Sequence, residues 1–76
     1  MASLEELRLQ LDEIDDQMVR LYEERIKVCA QVGEYKIKNG KKVLDRQREK
    51  NKLQAVSEKA SSEFNKKGVR ELYEQL

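Results

Sequence analysis

Two cations, Arg25 and Lys36, share one side of a long helical pattern. They are eleven residues apart, which is three helical turns to within about 20°, so their side chains project in the same direction. That spacing suits a small anion with more than one negative charge. The chain contains no histidine, which excludes a Ser-His-Asp or Cys-His arrangement and a histidine-ligated zinc site. Any chemistry must therefore use arginine, lysine and carboxylates.

Three further residues, Arg8, Arg48 and Glu49, are candidates for the same site. We expect Asp45 to cap a second helix, and the chain to return beside the end of the first, so that Arg48 and Glu49 close over the anion. Arg8 differs, because it precedes Arg25 by seventeen residues. It therefore lies about 25 Å away along the helix axis and points about 100° away. Arg8 could reach such a site only across an antiparallel dimer.

Each of these residues also has an interpretation without a ligand. Arg25 can be a polar seam residue that sets the register of packed helices. Lys36 and the lysines after it can form a solvated helix end that complements the helix dipole. Arg48 and Glu49 can form exposed ion pairs worth less than ~1 kcal/mol, and Arg8 can be an exposed flank. The residues alone leave these alternatives open.

The longest predicted element runs from Ser3 to Gly40. Ser3 followed by Glu6 is a capping box, and Asn39-Gly40 is a left-handed helix stop. Arg25 also lies on the apolar seam of this helix. Burying its charge there without an anion would cost several kcal/mol, so we expect its guanidinium either to reach water or to meet an anion. The other seam residues follow alternating steps of three and four: Leu4, Leu7, Leu11, Ile14, Met18, Leu21, Val28, Val32 and Tyr35.

Two shorter helices are predicted after a connector over 41–44. Asp45 caps the second helix, whose weakly apolar face holds Leu53, Val56 and Ala60. We expect a turn from Ser61 to Asn65, with Asn65 capping the third helix and Phe64 stapled to Val69. No segment has the period of a strand, so the predicted class is all-α, with one long and two short helices.

The third helix carries its apolar residues at helical spacing until the last residue: Val69, Leu72, Tyr73 and Leu76. Because this pattern is still running at Leu76, we expect a single domain over 1–76 whose third helix is cut short. The first helix, ~50 Å long at ~1.5 Å per residue, is too long for two short helices to cover. With 76 residues and no disulfide pair, the chain lacks the usual supports of a small domain, so we expect a homodimer.

Composition excludes several other classes. The 41% of charged residues sum to a net charge of only +1, so no long-range field draws the molecule to nucleic acid or membrane. The lysine-rich stretch 36–42 has no aromatic platform for bases. Cys29 is the single cysteine, more typical of a packing residue than of a nucleophile, and it fits a reducing compartment. With neither a signal peptide nor a membrane-spanning run, we expect a cytoplasmic protein.

Together these residues resemble the all-helical (type II) chorismate mutases, including the mutase domain of bacterial bifunctional chorismate mutase/prephenate dehydratases. No single motif is specific, but in order and at the family's spacings they cover essentially the whole chain. The resembling residues are Leu7-Arg8, Ile14-Asp15, Leu21, Glu24-Arg25, Val32-Gly33, Tyr35-Lys36 and Asp45-Arg46-Gln47-Arg48-Glu49. The resemblance implies an intertwined homodimer of three-helix protomers, and fusion to a further enzyme domain is one arrangement it allows.

The implied reaction is the Claisen rearrangement of chorismate to prephenate, in phenylalanine and tyrosine biosynthesis. This pericyclic step needs no cofactor, nucleophile or proton transfer. By position, the resemblance implies that Arg25 grips one substrate carboxylate, assisted by Arg8 of the partner subunit. Lys36 would meet a carboxylate and the ether oxygen, and Arg48 would add positive charge. Arginine's fork suits carboxylates, and lysine's point charge suits the oxygen.

The resemblance also implies that Glu49 and the backbone at Asp45 hold the ring hydroxyl. Family members have a Gln or Glu late in the third helix that bonds the ether oxygen, with a Ser one turn before it. The helical pattern places that residue about two turns past Leu76, and Gln75 is too early to replace it. We therefore expect the 76-residue chain to bind a chorismate-like dianion weakly and to turn it over poorly or not at all.

Two other functions remain open at this level. A dimerisation or coiled-coil module would need the long helix and a polar seam residue, but no ligand. A regulatory module would bind chorismate or prephenate without turnover. Following the ultraviolet absorbance of chorismate distinguishes both from an enzyme.

Overall fold

The computed structural model describes residues 2–42 and 44–76, and no strand occurs within these ranges. Helix α1 spans Leu4–Lys38, α2 spans Arg46–Glu58 and α3 spans Glu63–Glu74. The predicted all-α fold, with one long and two short helices, is confirmed. Val43, part of the predicted connector, lies outside the described residues. The chain divides into two units, 1–43 and 44–76, which are described separately below.

Helix α1 begins at the predicted cap. The Ser3 hydroxyl oxygen accepts a hydrogen bond from the Glu6 backbone N–H at 3.1 Å, which satisfies one of the amides that a helix start leaves without a partner. The helix then continues for 35 residues, about 50 Å at ~1.5 Å per residue. The long helix predicted from the seam is therefore present without a break.

The end of α1 is a Schellman motif at the predicted stop. Gly40 has a φ of 65°, a left-handed conformation that glycine adopts without a steric penalty. Its N–H donates to the Ile37 carbonyl at 3.3 Å, and the Lys41 N–H donates to the Lys36 carbonyl at 2.8 Å. These two bonds satisfy carbonyls of the last turn and fix where the helix ends.

The apolar seam of α1 is exposed along its whole length. No residue of the helix is buried, and the seam residues at its two ends, Leu4 and Tyr35, are 62% and 58% exposed. A stripe of large apolar side chains this long is normally covered in a folded protein. Helix α1 thus presents a long exposed apolar face.

The second unit is formed by α2 and α3, which pack against each other. Val56 and Ser57 are its buried residues among those described. Leu53 and Ala60, predicted on the same face as Val56, are half-buried, which confirms that face. One side-chain hydrogen bond links the two helices, in which Arg70 Nη2 donates to Gln54 Oε1 at 2.9 Å.

The start of α3 differs from the prediction. Ser62, not Asn65, is the N-cap: its hydroxyl oxygen accepts from the Asn65 N–H at 3.1 Å. Serine and asparagine are about equally good caps. Starting at Ser62 lengthens the helix by a turn, and the Glu63 carboxylate in that turn interacts favourably with the positive end of the helix dipole. The predicted turn is therefore correct at Ser61 and Ser62 but wrong for residues 63–65, which are helical, and the predicted staple is wrong. Phe64 lies in the first turn of α3 and is 87% exposed.

Candidate active site

Arg25 and Lys36 are distinguished from the rest of α1 by their burial. Both are half-buried, on a helix where nearly every other side chain is exposed. Since α1 is continuous from Leu4 to Lys38, three full turns separate the two cations, and they project from the same side to within about 20°. The structure thus keeps the helical spacing from which the anion site was predicted, and the site itself stays a prediction.

Lys36 lies where the end of α1 is most firmly fixed. Its carbonyl accepts the Lys41 N–H at 2.8 Å, and the Lys41 ammonium lies 5.6 Å from the centroid of the Tyr35 ring, within the range of a cation–π interaction. A lysine in the last turn also complements the negative end of the helix dipole. The main chain that carries Lys36 is therefore held by local bonds before any ligand is present.

Arg8 lies on the same helix, and α1 keeps it away from Arg25. Both residues belong to one unbroken element, so their separation of about 25 Å along the axis and about 100° around it follows from helix geometry. Arg8 is exposed. Within one protomer, Arg8 and Arg25 cannot bind the same small molecule.

Asp45, Arg48 and Glu49 lie together at the start of α2. Asp45 is the N-cap, as predicted, and its Oδ1 accepts the Arg48 N–H at 3.0 Å. The Asp45 carbonyl accepts the Glu49 N–H at 3.1 Å. All three residues are exposed. The first turn of α2 thus carries two cations, Arg46 and Arg48, and one carboxylate, Glu49, at the helix end where the dipole favours anions.

No metal centre accompanies these residues. Among the described residues, no group of three or more His, Cys, Asp or Glu side chains could hold a metal ion, and Cys29 is an exposed free thiol. None of the helices in the described ranges has the length and apolar character needed to cross a membrane. The candidate residues are thus four cations, Arg8, Arg25, Lys36 and Arg48, and two carboxylates, Asp45 and Glu49.

The sequence did not predict a groove in the second unit. This open groove of about 410 Å³ contains none of the six candidate residues and is lined by Gln54, Ser57, Glu58, Glu63, Lys66, Lys67 and Arg70. Lys66 pairs with Glu63 at 3.4 Å, and Gln54 Nε2 donates to Glu58 Oε1 at 2.6 Å. Gln54 thus bonds both Glu58 and Arg70 within this groove.

The described residues form a small all-helical protein. The family model of chorismate mutase type II matches residues 7–76, a range that includes all six candidate residues. The chain belongs to the type II chorismate mutase family. No curated protein matches it, and neither does any solved structure.

Proposed function

We propose that this chain is a chorismate mutase that rearranges chorismate to prephenate, without a cofactor, for phenylalanine and tyrosine biosynthesis in the cytoplasm. The observation that carries the proposal is the family match over 7–76. The half-buried pair Arg25 and Lys36 on one side of α1 supports it, because a dianion is the ligand that two aligned cations favour.

The proposed mechanism is electrostatic and conformational. The substrate is an extended dianion that reacts only from a compact conformer, so cations that grip both carboxylates hold it close to the reactive geometry. Arg25 and the partner subunit's Arg8 would bind one carboxylate by their guanidinium forks. Lys36 would meet the other carboxylate and the ether oxygen, where negative charge develops as the C–O bond breaks.

The start of α2 would complete the site. Arg48 would add positive charge, and the Glu49 carboxylate would accept a hydrogen bond from the ring hydroxyl. The Asp45 backbone would hold the same hydroxyl. A carboxylate is suited to this task because, when ionised, it only accepts hydrogen bonds, while the hydroxyl can donate one.

The direct test is the loss of the ultraviolet absorbance of chorismate, with prephenate identified as the product. Since the resemblance implies a further ether-oxygen partner beyond Leu76, the assay compares the 76-residue chain with one that continues through the third helix. We expect the longer chain to consume chorismate well above the spontaneous rate and the shorter chain to do so weakly or not at all. If chorismate binds to both chains but neither consumes it, the regulatory alternative is correct. If it binds to neither, the dimerisation module is correct.

We propose that the functional unit is a homodimer whose α1 helices run antiparallel. The exposed seam supports this proposal, because an apolar stripe of this length is normally covered in a folded protein. The register that sets Arg8 opposite the partner subunit's Arg25 brings apolar residues together as well. By the helical count, Leu7 would face Ile26 and Leu11 would face Tyr22, and all four are exposed in the single chain. Two facing guanidinium groups would then need an anion between them.

This register predicts a specific cross-link. Leu4 would face the native Cys29, so Leu4→Cys should form disulfides between protomers under mild oxidation, and light scattering should give twice the chain mass before oxidation. Leu9→Cys is the matched control, because Leu9 is equally exposed but lies about 140° around the helix from Leu4. A monomer of unchanged helicity, or equal cross-linking of the two variants, would contradict the proposed dimer.

A further inference from the structure

Asp45 accepts hydrogen bonds from the main chain of both candidate residues on α2. Its carboxylate accepts the Arg48 N–H at 3.0 Å, and its carbonyl accepts the Glu49 N–H at 3.1 Å. Asp45 therefore determines where the first turn begins and where the main chain of Arg48 and Glu49 lies.

The identity of the third helical residue removes the usual capping-box acceptor for the Asp45 backbone N–H. In a capping box, a Glu or Gln at that position bonds back to the amide of the cap, and Glu6 occupies that position in α1. In α2 the position is Arg48, and a guanidinium has no acceptor to offer. Gln47, one residue earlier, donates its side-chain amide to Asn51 at 3.0 Å. The Asp45 amide therefore has no capping-box partner in this turn.

We propose that the Asp45 side chain is a positioning residue for the proposed reaction, acting through its hydrogen bond to the α2 backbone and not through its charge. The cap would hold Arg48 and Glu49 in place and present the Asp45 amide to the substrate's ring hydroxyl. This inference rests on the proposed function and extends it, because it assigns the carboxylate a role separate from that of the backbone.

The first turn of α2 depends on such a cap. Residues 44–51 are all exposed, so no buried side chain holds this turn, and a helix of 13 residues is marginal without tertiary support. Without the cap, the turn would open in a fraction of the molecules, and substrate would have to bind the remainder. An equilibrium of this kind raises the apparent dissociation constant by the inverse of the competent fraction. KM should therefore rise while kcat stays nearly constant.

Four variants separate capping from charge. Asp45→Ala removes both and should raise KM roughly 2- to 30-fold, the range that corresponds to loss of an N-cap. Asp45→Ser and Asp45→Asn restore a capping oxygen without a charge and should recover most of the lost affinity. Asp45→Glu keeps the charge on a side chain that caps poorly, so it should resemble the alanine variant. KM and kcat are measured from chorismate loss, in the 76-residue chain where its turnover allows and in the longer chain otherwise.

The matched control is Ser62→Ala. Ser62 caps α3 by the same kind of bond, to Asn65 at 3.1 Å, in the same unit but away from Arg48 and Glu49. It should lower the stability of the unit to a similar extent and leave KM within about twofold, since only the α2 cap holds site residues. Hydrogen exchange of the Arg48 and Glu49 amides gives a second readout, and it should accelerate in Asp45→Ala and Asp45→Glu only.

The outcomes distinguish this inference from the proposed function. If the unchanged chain consumes no chorismate at either length, the proposed function fails and the inference falls with it. A second outcome is that the unchanged chain converts chorismate, Asp45→Glu retains affinity and Asp45→Ser loses it. The carboxylate would then act by its charge, and only the inference would be overturned. An equal rise in KM for Ser62→Ala would show a general stability effect and would also overturn it.

Discussion

Replacing Lys36 with alanine should lower the rate of chorismate consumption by roughly 10²–10³-fold, the usual effect of removing one group that stabilises developing negative charge. In the proposed reaction the ether oxygen gains charge as its bond to carbon breaks, and Lys36 is the cation assigned to it. The loss should appear in kcat as well as in kcat/KM, because this interaction strengthens in the transition state.

Lys38→Ala provides a matched control. Both lysines lie in the last turn of α1, so each variant removes one charge from the same end of the helix dipole. Lys38 is two residues further along and points about 160° away, toward a different side. The two variants should unfold at similar temperatures, but only Lys36→Ala should lose turnover. Equal losses would mean that the helix end as a whole matters, and the role proposed for Lys36 would be wrong.

The features that the sequence predicted best are those fixed by bonds within a few residues. Ser3 and Asp45 each bond the amide three positions later, and Gly40 takes the one left-handed conformation that ends α1. Such bonds depend on the local residues alone. The prediction failed at the start of α3 because Ser62 and Asn65 are competing caps of similar strength, and the choice depends on the turn around them.

Contacts between distant parts of the chain could not be predicted in the same way. Arg70 and Gln54 are sixteen residues apart, and only the angle of the α2–α3 turn brings them together. Local patterns did place Arg8, Arg25 and Lys36 on α1, and Asp45 at the cap of the helix that carries Arg48 and Glu49. That Arg8 of a second copy joins the site stays a prediction, because α1 separates Arg8 from Arg25 within one chain.

The contribution of Arg8 from a second protomer can be tested by mixing two inactive variants. In the longer chain, Arg8→Ala and Arg25→Ala homodimers should each lose nearly all turnover, because every site lacks one guanidinium. After subunit exchange, a heterodimer has one site with Arg25 from the first protomer and Arg8 from the second, both intact. Its other site lacks both. Turnover should therefore return, at up to about half of the unmodified dimer per heterodimer, because one site in two is complete.

A site built within one protomer predicts a different result. Every site in the mixture would then lack one of the two guanidinium groups, and exchange would restore nothing. Exchange itself is followed by mass spectrometry of the intact dimers, so that a negative result is informative. Mixing Arg25→Ala with Lys36→Ala is the internal control, because both residues would come from the same protomer and no site would recover both. If Arg8→Ala and Arg25→Ala remain inactive despite proven exchange, Arg8 does not act across the dimer and the shared site is wrong.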